Sequence, residues 1–178
     1  KTRYGLMLRE DGMVMDDGTT ARLGQTHYLM TTTTANAVGV YRHLEFVRQC
    51  RRPDMDVQLI SATDSWAQFA VAGPNARHVL EAVVDHEHDI SNEGFPFMAC
   101  GEITVCGGTP ARLFRISFSG ELAYEIAVPA RYGDAMIRAL MQAGEPYDIT
   151  PYGTEALGVM RIENCLLYTS PSPRDRSS

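Results

Sequence analysis

Hydrophobic and small or polar residues alternate cleanly along residues 122–128. Leu122, Tyr124, Ile126 and Val128 fall on one face of an extended segment, and Ala123, Glu125 and Ala127 fall on the other. The pattern predicts a strand with one apolar face. Residues 97–105 and 111–117 read as strands around the Gly107-Gly108 turn, and residues 57–62 and 66–72 as two more, with Trp66 expected in the core. Residues 4–10 and 12–16 form a predicted hairpin at Asp11-Gly12, with Met13, Val14 and Met15 returning to the core. Residues 25–32 are a further strand.

Helical spacing appears in four places. Over residues 35–50 the expected apolar face is Val38, Tyr41, Leu44, Phe46 and Val47, ending near Pro53. Gly73-Pro74 opens a helix running through Val84, with Val79, Leu80, Val83 and Val84 as its stripe. Residues 132–143 place Met136, Leu140 and Met141 inward. Thr150-Pro151 reads as a cap and first turn for a last helix through Leu157 and Met160. Strands and helices mix without regular alternation and without a fixed repeat. The expected class is α+β, with mainly antiparallel sheets and packed helices.

A hydrophobic content of 44% over 178 residues is enough for a core. The net charge of −6 argues against a nucleic-acid surface, which needs clustered Lys and Arg. No apolar run is long enough to span a bilayer, and no secretory signal is visible. Cys50, Cys100, Cys106 and Cys165 fit neither a zinc pattern nor a C-x-x-C motif, so reduced thiols in a cytoplasmic protein are expected. Lys1 precedes the first methionine, Met7, and the chain reads as a piece of a longer protein. The composition changes abruptly after Glu163, where residues 165–175 resemble translated read-through of a sequencing adapter. Residues 164–178 are therefore expected to be a non-native tail.

Candidate chemistry is sparse. Asp16-Asp17 follows a short apolar strand, and such a pair can orient or deprotonate an amine; an acidic turn before Gly18-Thr19-Thr20 is the commoner use. Glu125 stands between two alanines, which leave room for a flat ligand. Its two oxygens can accept parallel N–H donors from a heterocycle, although a solvent-facing carboxylate fits the pattern too. Ser117-Phe118-Ser119-Gly120 lacks the G-x-S-x-G pattern and precedes a strand, which excludes a nucleophile elbow. His86-Glu87-His88-Asp89 lacks a spaced further ligand pair and reads as a polar loop, so no metal site is expected. No dinucleotide or phosphate loop is present, so flavin or NAD binding by this stretch is not expected.

Several motifs occur in order: Tyr4-Gly-Leu-Met-Leu-Arg-Glu-Asp-Gly-Met-Val-Met-Asp-Asp17, Tyr28-Leu-Met-Thr-Thr-Thr-Thr-Ala-Asn36, Ala72-Gly-Pro-Asn-Ala76, Phe114-Arg-Ile-Ser-Phe-Ser-Gly-Glu-Leu-Ala-Tyr-Glu125 and Gly153-Thr-Glu-Ala-Leu-Gly-Val-Met-Arg-Ile-Glu163. Together they resemble the folate-binding part of the aminomethyltransferase (glycine-cleavage T-protein) family. The threonine run and the segment ending at Glu121 are most similar to its heterotetrameric sarcosine oxidase alpha-subunit branch. The resemblance covers residues 1–163, which would form one aminomethyltransferase-like folate-binding domain, incomplete at both ends. It implies a tetrahydrofolate site with Asp17 near the folate amine as the catalytic acid–base group, Tyr4 in the pocket and Glu125 on the pterin's N–H edge. Thr33 stands where the T-protein pattern has asparagine, and Phe118 where it has tyrosine; Phe118 could still pack on the pterin. For the whole enzyme the resemblance implies FAD or FMN and NAD bound elsewhere, other oxidase subunits as partners, and capture of the one-carbon unit of oxidised sarcosine as 5,10-methylenetetrahydrofolate, leaving glycine. Dimethylglycine dehydrogenase, the T-protein itself, or a non-catalytic folate-binding or assembly module are the alternatives. The family's last helix usually continues Arg-Ile-Glu-Lys-Gly-His, whereas Asn164 stands in the lysine position.

Overall fold

The computed structural model describes residues 1–163. Strands β1 (Thr2–Leu8), β2 (Val14–Arg22) and β3 (Tyr28–Met30) form one antiparallel sheet in the order β1-β2-β3. Helix α1 (Ala37–Phe46) follows, widening into a π-helical turn at Val47–Arg51. Then come β4 (Trp66–Ala72), α2 (Ala76–Glu81), β5 (Cys100–Val105), β6 (Thr109–Phe114), β7 (Ala123–Pro129), α3 (Gly133–Gly144) and α4 (Thr154–Glu163). The second sheet is antiparallel throughout, in the order β4-β7-β6-β5. This is the expected α+β class with antiparallel sheets.

The hydrophobic core lies between that larger sheet and helices α2 and α3. Leu80, Leu113, Tyr124, Ile126, Val128, Met136 and Leu140 are at most 3% exposed. Register places Phe69 opposite Ile126 and Leu113 on its other side, so the core faces of β4, β7 and β6 line up. Helix α3 comes close at Gly133, where an added Cβ would sit 2.9 Å from the Ala67 Cβ. The smaller sheet is different. Its buried residues are Thr2, Asp16 and Ala21, while Tyr4, Leu6, Leu8, Met13, Val14, Tyr28 and Met30 are exposed.

Several boundaries differ from expectation. The first hairpin turns over residues 9–13, and β2 continues to Arg22, so Asp16 and Asp17 lie inside a strand and not in a turn. Met13 and Val14 consequently project from the hairpin tip and do not return to the core. Residues 57–62 form no strand; they have no ladder partner and run beside α1, where the Tyr41 hydroxyl donates to the Leu59 carbonyl at 3.4 Å. On α1 the inward side holds Val40, Tyr41 and Leu44, while Val38 and Phe46 are exposed. Helix α2 is shorter than expected, with Val83 and Val84 in the following turn, though its apolar stripe is buried as read. Strand β5 starts at Cys100, three residues late, and β6 stops at Phe114, three residues early. Helix α4 begins at Thr154, beyond the Thr150-Pro151 signal. Trp66 is half-buried and faces away from the core. Among the described residues no helix is long and apolar enough to cross a membrane. The expectation for residues 164–178 lies outside the described residues.

The contrast between the sheets sets a stability prediction. Leu80→Ala removes a fully buried side chain and should cost about 2–5 kcal/mol. Leu6→Ala on β1, 56% exposed, should cost under about 0.5 kcal/mol. Urea denaturation of both variants measures the difference.

Candidate functional site

The face of the larger sheet opposite the core forms the floor of a cleft of about 610 Å³. Trp66, Gln68 and Ala70 of β4, Glu125 and Ala127 of β7, and Arg112 of β6 line it. The opposing wall comes from Tyr28–Met30, Thr31, Thr32, Thr34 and the inward side of α1, with residues 58–63 along one edge. The alternation read from residues 122–128 thus splits β7: Tyr124, Ile126 and Val128 go to the core, and Glu125 and Ala127 to the cleft. A volume of this size is that of small-molecule sites generally.

Glu125 is half-buried and accepts a hydrogen bond from the Gln68 amide. Burial pushes its carboxyl above the usual glutamate range, and the Gln68 bond only partly opposes the shift. Burial, and then the charge on Glu125, raises the phenol of Tyr152, which arrives on the extended segment before α4. Arg112 lies 4.0 Å over the Trp66 ring, a cation–π stack that reaches across β7, where Arg112 is opposite Ala127 and Trp66 is opposite Pro129. The Arg112 Nε is 3.8 Å from a Glu102 oxygen and makes no hydrogen bond among the described residues.

Asp17 sits on the other face of β2 from Asp16, and the Tyr4 hydroxyl donates to its Oδ2 at 2.5 Å. Neither Asp17 nor Tyr4 lines the cleft. Asp17 lies one same-face step along β2, about 7 Å, from Thr19. Thr19 in turn contacts the cleft-wall residue Thr31, hydroxyl to hydroxyl at 2.8 Å. Thr33 also misses the cleft: its hydroxyl donates to Asp16 at 2.8 Å. Phe118 is exposed, with the Arg161 guanidinium 5.6 Å from its ring. The structure therefore brings Tyr4 to Asp17 and Thr33 to Asp16, with Glu125 across the cleft. It does not gather all five residues into one contact set.

Outside this region, the 86–89 loop is tied down locally. His88 Nε2 accepts the Thr104 N–H at 2.9 Å, so that nitrogen has no lone pair to spare. Asp85 accepts the amides of Gly107 and Gly108 at 2.7 and 2.8 Å and closes the β5–β6 turn.

The GCVT N-terminal domain matches residues 1–171. The chain belongs to that family. It is 57% identical over 164 residues to the sarcosine oxidase subunit alpha of Rhizobium meliloti (strain 1021), covering 92% of this chain and 16% of that protein. The aminomethyltransferase of Chloroherpeton thalassium is 30% identical over 165 residues, covering 92% of this chain and 42% of that one. Among solved structures, the glycine cleavage system aminomethyltransferase T from Bartonella henselae superposes with a TM-score of 0.74 at 23% identity, over 92% of this chain and 40% of that chain. The GCVT fold thus stands on sequence and on shape. The chain spans less than half the length of these relatives.

Reading β7 alone finds Glu125 but misses Gln68, Arg112 and Tyr152. The first two carry a faint signal. Gln68 alternates with Trp66 and Ala70, opposite the apolar set Ala67, Phe69 and Val71. The approach of Tyr152 depends on where α4 begins, which the Thr150-Pro151 signal misplaces.

Glu125 yields a pH-dependent prediction. An acid whose folded pKa is raised costs nothing below the unfolded value, 4.5, and weakens the fold as pH rises through the folded value. Glu125→Gln should therefore raise the melting temperature at pH 7, and the difference from the parent chain should vanish below about pH 4.5. Thermal denaturation across pH measures it.

Proposed function

We propose that this chain is the tetrahydrofolate-binding part of a sarcosine oxidase alpha subunit, where the one-carbon unit of oxidised sarcosine passes to tetrahydrofolate. The observation that carries the reading is Glu125. It is a desolvated carboxylate on the cleft floor, flanked by Ala123 and Ala127, with Gln68 as its hydrogen-bond donor among the described residues. A pterin supplies what this arrangement lacks. Its flat ring would lie over Ala70 and Ala127 of the cleft floor, and its amine and ring N–H groups form a parallel donor pair for the carboxylate. The similarity to the Rhizobium meliloti subunit supports the choice of enzyme.

In this reading Asp17 orients or deprotonates the folate amine as the nitrogen attacks the imine carbon, with Tyr4 holding one carboxylate oxygen and leaving the other for substrate. Products are 5,10-methylenetetrahydrofolate and glycine. Thr33 acts through Asp16, and Phe118 covers the pocket edge. FAD or FMN and NAD belong to other parts of the enzyme, whose remaining subunits are this chain's partners, and the location is cytoplasmic. Residues 1–163 form the folate domain, and residues 164–178 are a non-native tail.

A second reading, a folate-binding or assembly module without catalysis, draws on one observation: Asp17 lies outside the cleft lining and already accepts Tyr4. Two measurements separate the readings. Calorimetry with tetrahydrofolate should show binding, and Glu125→Gln should weaken it about tenfold through the lost charge-assisted pair. Absence of binding to the parent chain overturns the folate reading. In the sarcosine-oxidising complex, Asp17→Asn should cut methylenetetrahydrofolate formation while peroxide formation continues. Unchanged folate product assigns the chain to the module.

A further inference from the structure

Asp16 is one of three buried polar residues among those described, 6% exposed, and no cation pairs with it there. A buried carboxylate without a countercharge is costly unless donors surround it. Asp16 has four contacts of that kind. Its Oδ1 accepts the Asp17 N–H at 2.8 Å, the Thr33 hydroxyl at 2.8 Å and, at longer range, the Thr33 N–H at 3.4 Å. Its Oδ2 accepts the Asn36 side-chain amide at 3.1 Å, and the same amide donates to the Met15 carbonyl at 3.1 Å. Burial would raise this carboxyl, but the bonds from Thr33, Asp17 and Asn36 outweigh it and hold the group below its usual range, ionised at neutral pH.

What those donors belong to gives the carboxylate its meaning. They lie in two places: the strand that carries Asp17, and the segment 33–36 that leads from the threonine run into α1. Gly18, on the same face of β2 as Asp16, lets the start of the threonine run lie close. A Cβ there would sit 1.9 Å from the Thr31 carbonyl oxygen. Thr19 completes the seam, since its N–H donates to the Thr31 hydroxyl at 3.1 Å and its carbonyl accepts the Thr31 N–H at 2.8 Å. Of the four consecutive threonines, Thr31, Thr32 and Thr34 line the cleft, and Thr33 alone turns away to meet Asp16.

We infer that Asp16 is a positioning residue, whose buried carboxylate locks the threonine wall of the cleft to the strand segment that presents Asp17. It touches no ligand. It fixes the distance between the wall and the strand segment that carries Asp17, and it accepts the Asp17 backbone N–H. The inference rests on the folate reading for its consequence, and on the geometry alone for the lock itself.

The test uses Asp16→Asn, Asn36→Asp and the double variant. In Asp16→Asn an amide donor faces the Asn36 amide donor. In Asn36→Asp two carboxylates face each other. The double variant restores one acceptor opposite one donor, so each single change should harm what the pair repairs. Amide hydrogen exchange reads the lock without any ligand. The Asp17 amide and those of residues 31–36 should exchange at least about tenfold faster in Asp16→Asn, while Leu113 and Ile126 in the core stay protected, and the double variant should recover protection. Unchanged exchange at Asp17 and Thr33 in a folded Asp16→Asn variant overturns the lock. Tetrahydrofolate affinity, measured alongside, should fall about tenfold in Asp16→Asn and recover in the double variant. Faster exchange with unchanged affinity overturns the link to the site. If the parent chain binds no tetrahydrofolate, the folate reading and that link fall together, and exchange alone decides the lock. Should Asp16→Asn fail to fold, Thr33→Val, which removes only the hydroxyl donor to Asp16, takes its place: faster exchange at Asp17 and residues 31–36 supports the lock, and unchanged exchange there overturns it.

Discussion

Both faces of β7 are spoken for, and the rest of the molecule is arranged around that constraint. Tyr124, Ile126 and Val128 are fully buried against the helical layer. Because that face takes the large side chains, the other can stay hollow. Ala123 and Ala127 fill little volume, and the neighbouring strands follow suit, with Gln68 and Ala70 on one side and Arg112 on the other. A sheet that buried bulk on both faces would have no cleft. The helices on one side thus make possible the cavity on the other.

The smaller sheet obeys a different logic. Its buried side chains are Thr2, Asp16 and Ala21, so apolar burial contributes little to holding it in place. Directional bonds do that work instead: the Thr2 amide to the Met98 carbonyl at 2.7 Å, the Thr19–Thr31 seam and the Asp16 carboxylate. Apolar contact is tolerant of small displacements, whereas a hydrogen bond weakens steeply with angle and distance. A wall held by such bonds is fixed in register even where it is poorly buried, which suits one side of a binding cleft.

What could be read from the sequence follows from the range of the interactions involved. The alternation of residues 122–128 and the stripes of α2 and α3 are local consequences of burial, and they appear in the structure with small boundary shifts. The cleft side of Glu125 was legible for the same reason. The role of Asp16 was not. Adjacent acids look alike in sequence, and a strand sends successive side chains to opposite faces only once the strand is known to run through them. The acidic turn read before Gly18-Thr19-Thr20 hid that separation. Trp66 misled because aromatic size suggests the core, whereas the partner that claims it, Arg112, is 46 positions away on β6 and reaches it across the intervening β7.

Asp16 and Glu125 show how environment divides labour between carboxylates of similar intrinsic chemistry. Asp16 is desolvated but surrounded by donors from Thr33, Asp17 and Asn36, so its capacity to accept is spent on the protein and its charge is held. Glu125 is desolvated with the single opposing contribution of Gln68, and its charge is resisted. A carboxylate in the first condition has most of its accepting capacity committed to the fold. One in the second gains most from a ligand that brings donors, because each N–H presented to it relieves desolvation the fold leaves uncompensated. An acceptor placed against Glu125 would meet repulsion from the charged carboxylate, and a flat edge with two donors would not. On the proposed folate reading, a heterocyclic amine edge is what Glu125 would favour before any contact with Asp17 is considered.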